Sequence, residues 1–138
     1  MSEKLCLQWN EFQDFIKGAF RNMRGNDDFA DVTLACEDGQ QVETHKMILA
    51  ASSPFFQKLL ARNKQSHPII FMRGVKSEDL LPMVDFLYHG EANIFQENLE
   101  SFLALAEDLQ MKGMARTKDQ TNKDFEMDKM PLYSNYLP

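Results

Sequence analysis

The sequence predicts a helix-rich α+β domain over residues 5–115, a helical cluster flanked by a small β-sheet. Three observations carry that class. Apolar residues recur at helical spacing in five stretches between Phe12 and Leu109. Short β-rich runs stand at 31–36, 41–44 and 69–72. Gly, Asn, Ser and Pro signals punctuate the boundaries between them.

In chain order, Leu5, Leu7 and Trp9 alternate with Cys6 and Gln8, the pattern of a half-buried strand. Asn10 reads as a helix N-cap, with Gln13 three residues on as a variant capping box. Phe12, Phe15, Ile16, Ala19, Phe20 and Met23 then share one wide helical face, and Gly25 and Asn26 end the helix. A strand ahead of a helix at the terminus has no local partner, so its mate is expected from elsewhere. Residues 31–45 read as a hairpin turning at Asp38-Gly39. Helical spacing resumes at Met47, Ile48 and Ala51. Ser53 as N-cap and Pro54 at the first helical position open the next helix, filled by Phe55, Phe56, Leu59 and Leu60 to about Arg62.

Pro68 closes a polar stretch before the short strand Ile69-Ile70-Phe71-Met72. Ser77 with Glu78 and Asp79 opens a further helix with face Leu80, Leu81, Val84, Leu87 and Tyr88. Pro82 is expected in or near its first turn, and Gly90 stops it. Ala92–Phe95 reads as a short strand. Asn98 is expected to cap the last helix, carrying Leu99, Phe102, Leu103, Ala106 and Leu109, with Gly113 as its stop. Residues 116–138, with 8 of 23 charged and no periodicity, read as a linker or disordered tail beyond a domain at 1–115.

Composition narrows function. The net charge is −6, and the first 115 residues hold 11 basic and 17 acidic side chains. An acidic body argues against non-specific polyanion binding, which needs clustered Lys and Arg. We therefore expect no saturable sub-micromolar binding to mixed-sequence duplex DNA in an anisotropy titration at about 150 mM salt. No apolar run approaches the roughly 18–20 residues of a membrane span. Two cysteines, Cys6 and Cys36, build neither a disulfide framework nor a four-cysteine metal site, and fit a reducing compartment.

Three blocks resemble the BTB/POZ domain: Asp31-Val32-Thr33-Leu34, the run from His45 to Phe56, and Phe86-Leu87-Tyr88-His89-Gly90-Glu91. They occur in the family's order. The opening Leu5-Cys6-Leu7-Gln8-Trp9-Asn10 is similar to the N-terminal motif of the insect tramtrack-type subgroup, which precedes DNA-binding modules in nuclear transcription and chromatin factors. The resemblance implies the BTB/POZ fold and homodimerisation, with the N-terminal strand exchanged between subunits, and in that subgroup assembly beyond dimers. The dimer interface it implies comprises Leu5, Leu7, Trp9, Phe12, Phe15, Ile16, Ala19, Phe20 and Met23. Such a shared core falls in the obligate class of roughly 2,000 Å² or more. Asp31 and Lys46 match positions that form a charged pocket at the dimer interface of similar domains.

The implied function is a protein-interaction module that dimerises, multimerises or heteromerises a nuclear regulator. Its partners are a second copy, related BTB proteins and transcription or chromatin co-regulators, without direct nucleic acid or membrane contact. The alternative is a cullin-3 ubiquitin-ligase substrate adaptor, a role in which related proteins add helices directly after the domain. No amphipathic pair of that kind is visible in 116–138.

Catalysis finds no support in the motifs. His45, His67 and His89 are widely spaced, without H-E-x-x-H or a cysteine pair to finish a zinc site. His89-Gly90-Glu91 fits half of a deaminase signature, and the P-C-x-x-C half is missing. His45 reads as a structural histidine, and Cys6 and Cys36 as buried apolar residues. Neither a Gly-rich phosphate loop nor G-x-S-x-G occurs, so no enzyme activity and no cofactor or metal are expected. Lys58, Arg62, Lys64, Arg73 and Lys76 read as a solvated basic rim. The nine Met residues, Met72, Met83, Met111 and Met114 among them, read mainly as core fillers.

Overall fold

In the computed structural model, which describes residues 2–111, strand β1 (Val32–Cys36) is the axis of the chain. It pairs antiparallel with β2 (Gln41–Thr44) on one side and parallel with β3 (Ile69–Met72) on the other, giving the order β2-β1-β3. The register sets Leu34 opposite Val42 and Ile70, and Thr33 opposite Glu43 and Ile69. Val32, Leu34 and Cys36 therefore share one face and enter the core, while Thr33 and Ala35 share the other. Helices α1 (Phe12–Met23), α2 (Lys46–Ser52), α3 (Pro54–Arg62), α4 (Ser77–His89) and α5 (Leu99–Asp108) complete the α+β fold. Ile48, Leu49, Phe56, Met83, Val84 and Leu109 form its dry centre.

Two helix starts are held by carboxylates from the ends of β1. Asp31, just before the strand, accepts the Lys46 N–H at 2.7 Å and so caps α2. Asp38, just after it, accepts the Ser77 N–H at 3.1 Å and the Ser77 hydroxyl at 2.8 Å and so caps α4. Each anion also meets the positive end of the helix dipole. The α3 start is local, as expected: the Ser53 hydroxyl accepts the Phe56 N–H (3.2 Å), with Pro54 first in the helix. The same hydroxyl donates to the Leu109 carbonyl at 2.6 Å, tying α3 to the end of α5. Gly90 ends α4 at φ 80°, a left-handed conformation that costs glycine nothing.

The Ser77 hydrogen bonds hold the Asp38 carboxyl below its ordinary value of 3.8. A carboxyl whose folded value is depressed stabilises the fold above its unfolded value and loses that contribution as pH falls through the folded one. Acid titration of stability is therefore expected to be steeper for the wild type than for Asp38→Asn below the ordinary aspartate range. Superimposable acid limbs in the two proteins would remove Asp38 from this role.

Several expectations are corrected. Leu5–Trp9 is not a strand: residues 2–9 are exposed and lie outside the β2-β1-β3 sheet. A strand needs a neighbour for its N–H and C=O groups, and no described strand lies beside this one. Asn10 is not the cap of α1. The position before the helix is Glu11, left-handed at φ 62°, without a side-chain cap. Ser77 lies inside α4 and Asn98 makes no side-chain cap, because Asp38 serves the first helix and a 3-10 turn (Gln96–Asn98) leads into the second. That turn and the irregular segment before it replace the expected strand at Ala92–Phe95. Pro82 sits within α4 just past its first turn, inside the expected range. Met47 and Ala51 are exposed, whereas Ile48 turns inward as expected and Leu49 joins it. Gly113 and the expected tail at 116–138 lie outside the described residues.

Candidate functional site

The largest concentration of exposed aromatic surface gathers where residues 2–9 meet α1. Trp9 lies against Phe15 at 4.6 Å and Phe12 at 5.3 Å between ring centroids. The Phe12 N–H donates to the Trp9 carbonyl (3.2 Å), so the left-handed Glu11 turn folds the indole back onto the helix. The three rings cover one another only partly, and Trp9 and Phe15 remain 57% and 52% exposed. Leu5 and Leu7 continue this apolar surface along the chain, both exposed.

The other side of α1 is anchored. Phe20 and Met23 pack against the chain's own core, and Ile16 and Ala19 are half-buried between the two sides. The Arg24 guanidinium meets the Asp85 carboxylate at 2.7 Å, fixing α1 on α4. Arg21 reaches the His89 carbonyl at 3.4 Å and the Glu91 carboxylate at 3.9 Å. The nine apolar residues singled out in the sequence are thus divided. Phe20 and Met23 already serve the fold, while Leu5, Leu7, Trp9, Phe12 and Phe15 face water.

Asp31 and Lys46 adjoin, through the backbone. The Asp31 carboxylate takes the Lys46 N–H, while the Lys46 ammonium donates to the Gln65 carbonyl at 2.5 Å. Both side chains are half-buried. His45 is buried beside them. Its N–H donates to the Tyr88 hydroxyl (2.9 Å), that hydroxyl lies 2.6 Å from Nδ1, and Nε2 lies 3.2 Å from the Asp28 carbonyl. A carbonyl only accepts, so Nε2 carries the proton and Nδ1 accepts from the tyrosine. Burial pushes the Tyr88 phenol up, keeping it the donor. An imidazole engaged at both nitrogens has no free edge for a substrate. Tyr88→Phe orphans the His45 N–H and Nδ1 and is expected to cost about 1–3 kcal/mol. Urea denaturation reads the loss, and an unchanged midpoint contradicts it.

The structure also assembles a cluster that sequence reasoning missed. The Thr33 hydroxyl donates to Glu43 Oε2 (2.9 Å), and His67 Nε2 lies 2.9 Å from Thr33 Oγ1 and 3.1 Å from Glu43 Oε1. The trio resembles a nucleophile–histidine–acid arrangement, but the proton runs the wrong way. The hydroxyl donates its hydrogen bond to the carboxylate rather than to the imidazole, so the histidine is not placed as its base. The hairpin register alone would have paired Thr33 with Glu43; nothing in the sequence announces His67. Among the described residues no group of three His, Cys, Asp or Glu could hold a metal ion. Cys36 is buried, and its thiol is pushed up by that burial and by Asp38, whereas Cys6 is exposed rather than buried as expected. Lys58, Arg62, Lys64, Arg73 and Lys76 are all exposed. Met72 and Met83 fill the core.

Known proteins agree with this architecture. The profile of the BTB/POZ domain matches residues 20–125. In Drosophila melanogaster, Broad-complex core protein is 43% identical over 115 residues, 83% of this chain and 16% of that protein. Tramtrack, alpha isoform, is 39% identical over 118 residues, 86% of this chain and 14% of that one. Longitudinals lacking protein-like is 42% identical over 122 residues, 88% of this chain and 95% of that one. The chain thus spans a small part of the first two relatives and nearly all of the third. Among solved structures, the BTB domain of human gigaxonin superposes with a TM-score of 0.64 at 19% identity, covering 80% of this chain and 90% of that one. The likeness to gigaxonin is one of fold, and the matched profile and relatives establish descent: the chain belongs to the BTB/POZ domain family.

Proposed function

We propose that this protein-interaction module joins copies of itself, or of related BTB proteins, through the surface made by Leu5, Leu7, Trp9, Phe12 and Phe15. The carrying observation is the exposed aromatic set of Trp9, Phe12 and Phe15, continuous with a preceding segment whose apolar residues alternate. Burying that surface against a second copy removes it from water at about 25 cal/mol per Å², and pairing residues 5–9 with a partner strand satisfies their backbone groups. Lys46 opens α2 and Asp31 caps it, and the two contribute charge at the margin of such an interface. In this reading residues 1–115 are the assembly domain and 116–138 a linker. The host is a nuclear regulator of transcription or chromatin, and catalysis, cofactor and direct DNA contact play no part. The cullin-3 adaptor reading rests on family resemblance alone, with no feature of the described residues favouring it.

Light-scattering mass after gel filtration tests the reading on the 138-residue chain. A mass of two copies or more is expected across the micromolar range, and removal of residues 1–10 is expected to lower it while the body stays folded. A single-copy mass throughout that range overturns the proposal.

A further inference from the structure

The turn that closes the β1–β2 hairpin holds Asp38-Gly39, the one place in the 138 residues where glycine follows an aspartate or asparagine. Such a pair is chemically reactive. The glycine nitrogen can close a five-membered ring on the aspartate Cγ, and residue 39 has no side chain to obstruct it. Gly39 is left-handed at φ 90°, and a Cβ placed on it would meet nothing within 4 Å, so water reaches the turn freely.

Both reacting groups are engaged in the folded chain. The Gly39 N–H donates to the Cys36 carbonyl at 3.0 Å. Asp38 Oδ2 accepts the Ser77 N–H and hydroxyl, and Oδ1 accepts the Gln40 N–H at 3.3 Å. The Ser77 bonds also keep the carboxyl ionised, and an ionised carboxylate is a poor electrophile. The same turn joins the hairpin to α4 and to the loop before it. The Glu37 N–H donates to the Val75 carbonyl at 2.8 Å, and the Glu37 carboxylate accepts the Gly74 N–H at 2.5 Å.

We propose that Asp38-Gly39 is a site of spontaneous isoaspartate formation, restrained by the Ser77 hydrogen bonds, and that isomerisation there uncouples α4 from the hairpin. The reaction needs only water. Once Asp38 leaves Ser77 and takes up a proton, the Gly39 nitrogen attacks Cγ. An N–Cγ bond forms, the amide proton and the carboxyl hydroxyl depart as water, and a succinimide results. Water then adds to one of the two ring carbonyls. Opening of the N–Cγ bond restores aspartate. Opening of the bond from nitrogen to the Asp38 main-chain carbonyl carbon gives isoaspartate, with mass and oxidation state unchanged.

The product cannot cap α4 as aspartate does. Its main chain runs through Cβ and Cγ, one atom longer, and its carboxylate sits directly on Cα with a shorter reach. Ser77 then loses its acceptor, and the anion leaves the positive end of the helix. The added atom also disturbs the end of the hairpin ladder, where the Cys36 N–H donates to the Gln40 carbonyl at 2.8 Å. No residue of 5–9 or α1 takes part. The inference therefore goes beyond the function proposed above, and its failure leaves that reading untouched.

Ageing the full chain in neutral buffer at physiological temperature tests this. Isoaspartate is counted by methyl transfer from S-adenosylmethionine, with an isoaspartyl methyltransferase as the probe, and located by peptide mapping. The folded wild type is expected to accumulate it at residue 38, more slowly than the same chain in urea. Ser77→Ala is expected to react about threefold faster when folded, the weight of a lost hydrogen bond, and at the wild-type rate in urea. Tyr88→Phe weakens the core without touching the turn and is expected to keep the wild-type rate, because the reaction waits on local opening. Equal rates in folded wild type and Ser77→Ala overturn the proposal, as does equal acceleration by Tyr88→Phe. Should Ser77→Ala fail to fold, the isomerised wild type decides. Separated by anion exchange, it is expected to show faster hydrogen exchange at the first turn of α4 and unchanged exchange in α2. Identical exchange in α4 before and after isomerisation overturns the uncoupling.

Discussion

Replacing Phe56 by Ala is expected to remove about 3–5 kcal/mol of folding stability. The ring is fully buried at the centre of the core and edge-on to Phe55 at 5.4 Å. Its backbone is fixed by the Ser53 cap, so α3 cannot slide to refill the space. The lost burial then adds to an unrelaxed cavity. Against a total of about 5–15 kcal/mol for an ordinary domain, that loss leaves the variant near the threshold of folding. Urea denaturation measures it as a lowered midpoint at unchanged slope. A loss under about 1 kcal/mol would contradict the close packing on which the core description rests.

Phe15→Ala is expected to act on assembly instead. Half of this ring lies in water in the single chain, so folding loses little. A buried aromatic anchor at an interface contributes about 2 kcal/mol or more on truncation, which corresponds to roughly 30-fold weaker association. Melting temperature is expected to rise with protein concentration in the wild type, and to lie lower in the variant. Curves indifferent to concentration in both proteins would show that α1 serves only its own chain.

Much of the fold is legible because its signals are local. Ser53-Pro54 announces α3 within two residues, Gly90 announces the end of α4, and Asp38-Gly39 announces the hairpin. What escaped is non-local. Ser77 looks like a cap because it precedes two acids, yet the cap comes from Asp38, 39 residues earlier in the chain. Asp31 reads as a charge for an interface pocket, and its nearest duty is a backbone N–H 15 residues away. The strand Ile69–Met72 is legible as a strand, but four apolar residues in a row hide which two face water. Only pairing with β1 decides that Ile70 and Met72 turn inward. The α1 face is legible as apolar, while its division between Phe20, packed inward, and Phe15, left outside, depends on where α4 lies.

The parallel pairing of β1 with β3 has a consequence for synthesis. The first strand is complete at Cys36 and the second only at Met72. At about 5–20 residues per second, a growing chain waits roughly 2–7 s between the two. During that interval the β1 edge that β3 will take stays unpaired, with Val32 and Leu34 lacking the helices that later cover them. The acids that will cap α2 and α4, Asp31 and Asp38, then flank the bare strand as like charges. They discourage neighbouring nascent chains on the same message from zipping together before each has made its own third strand.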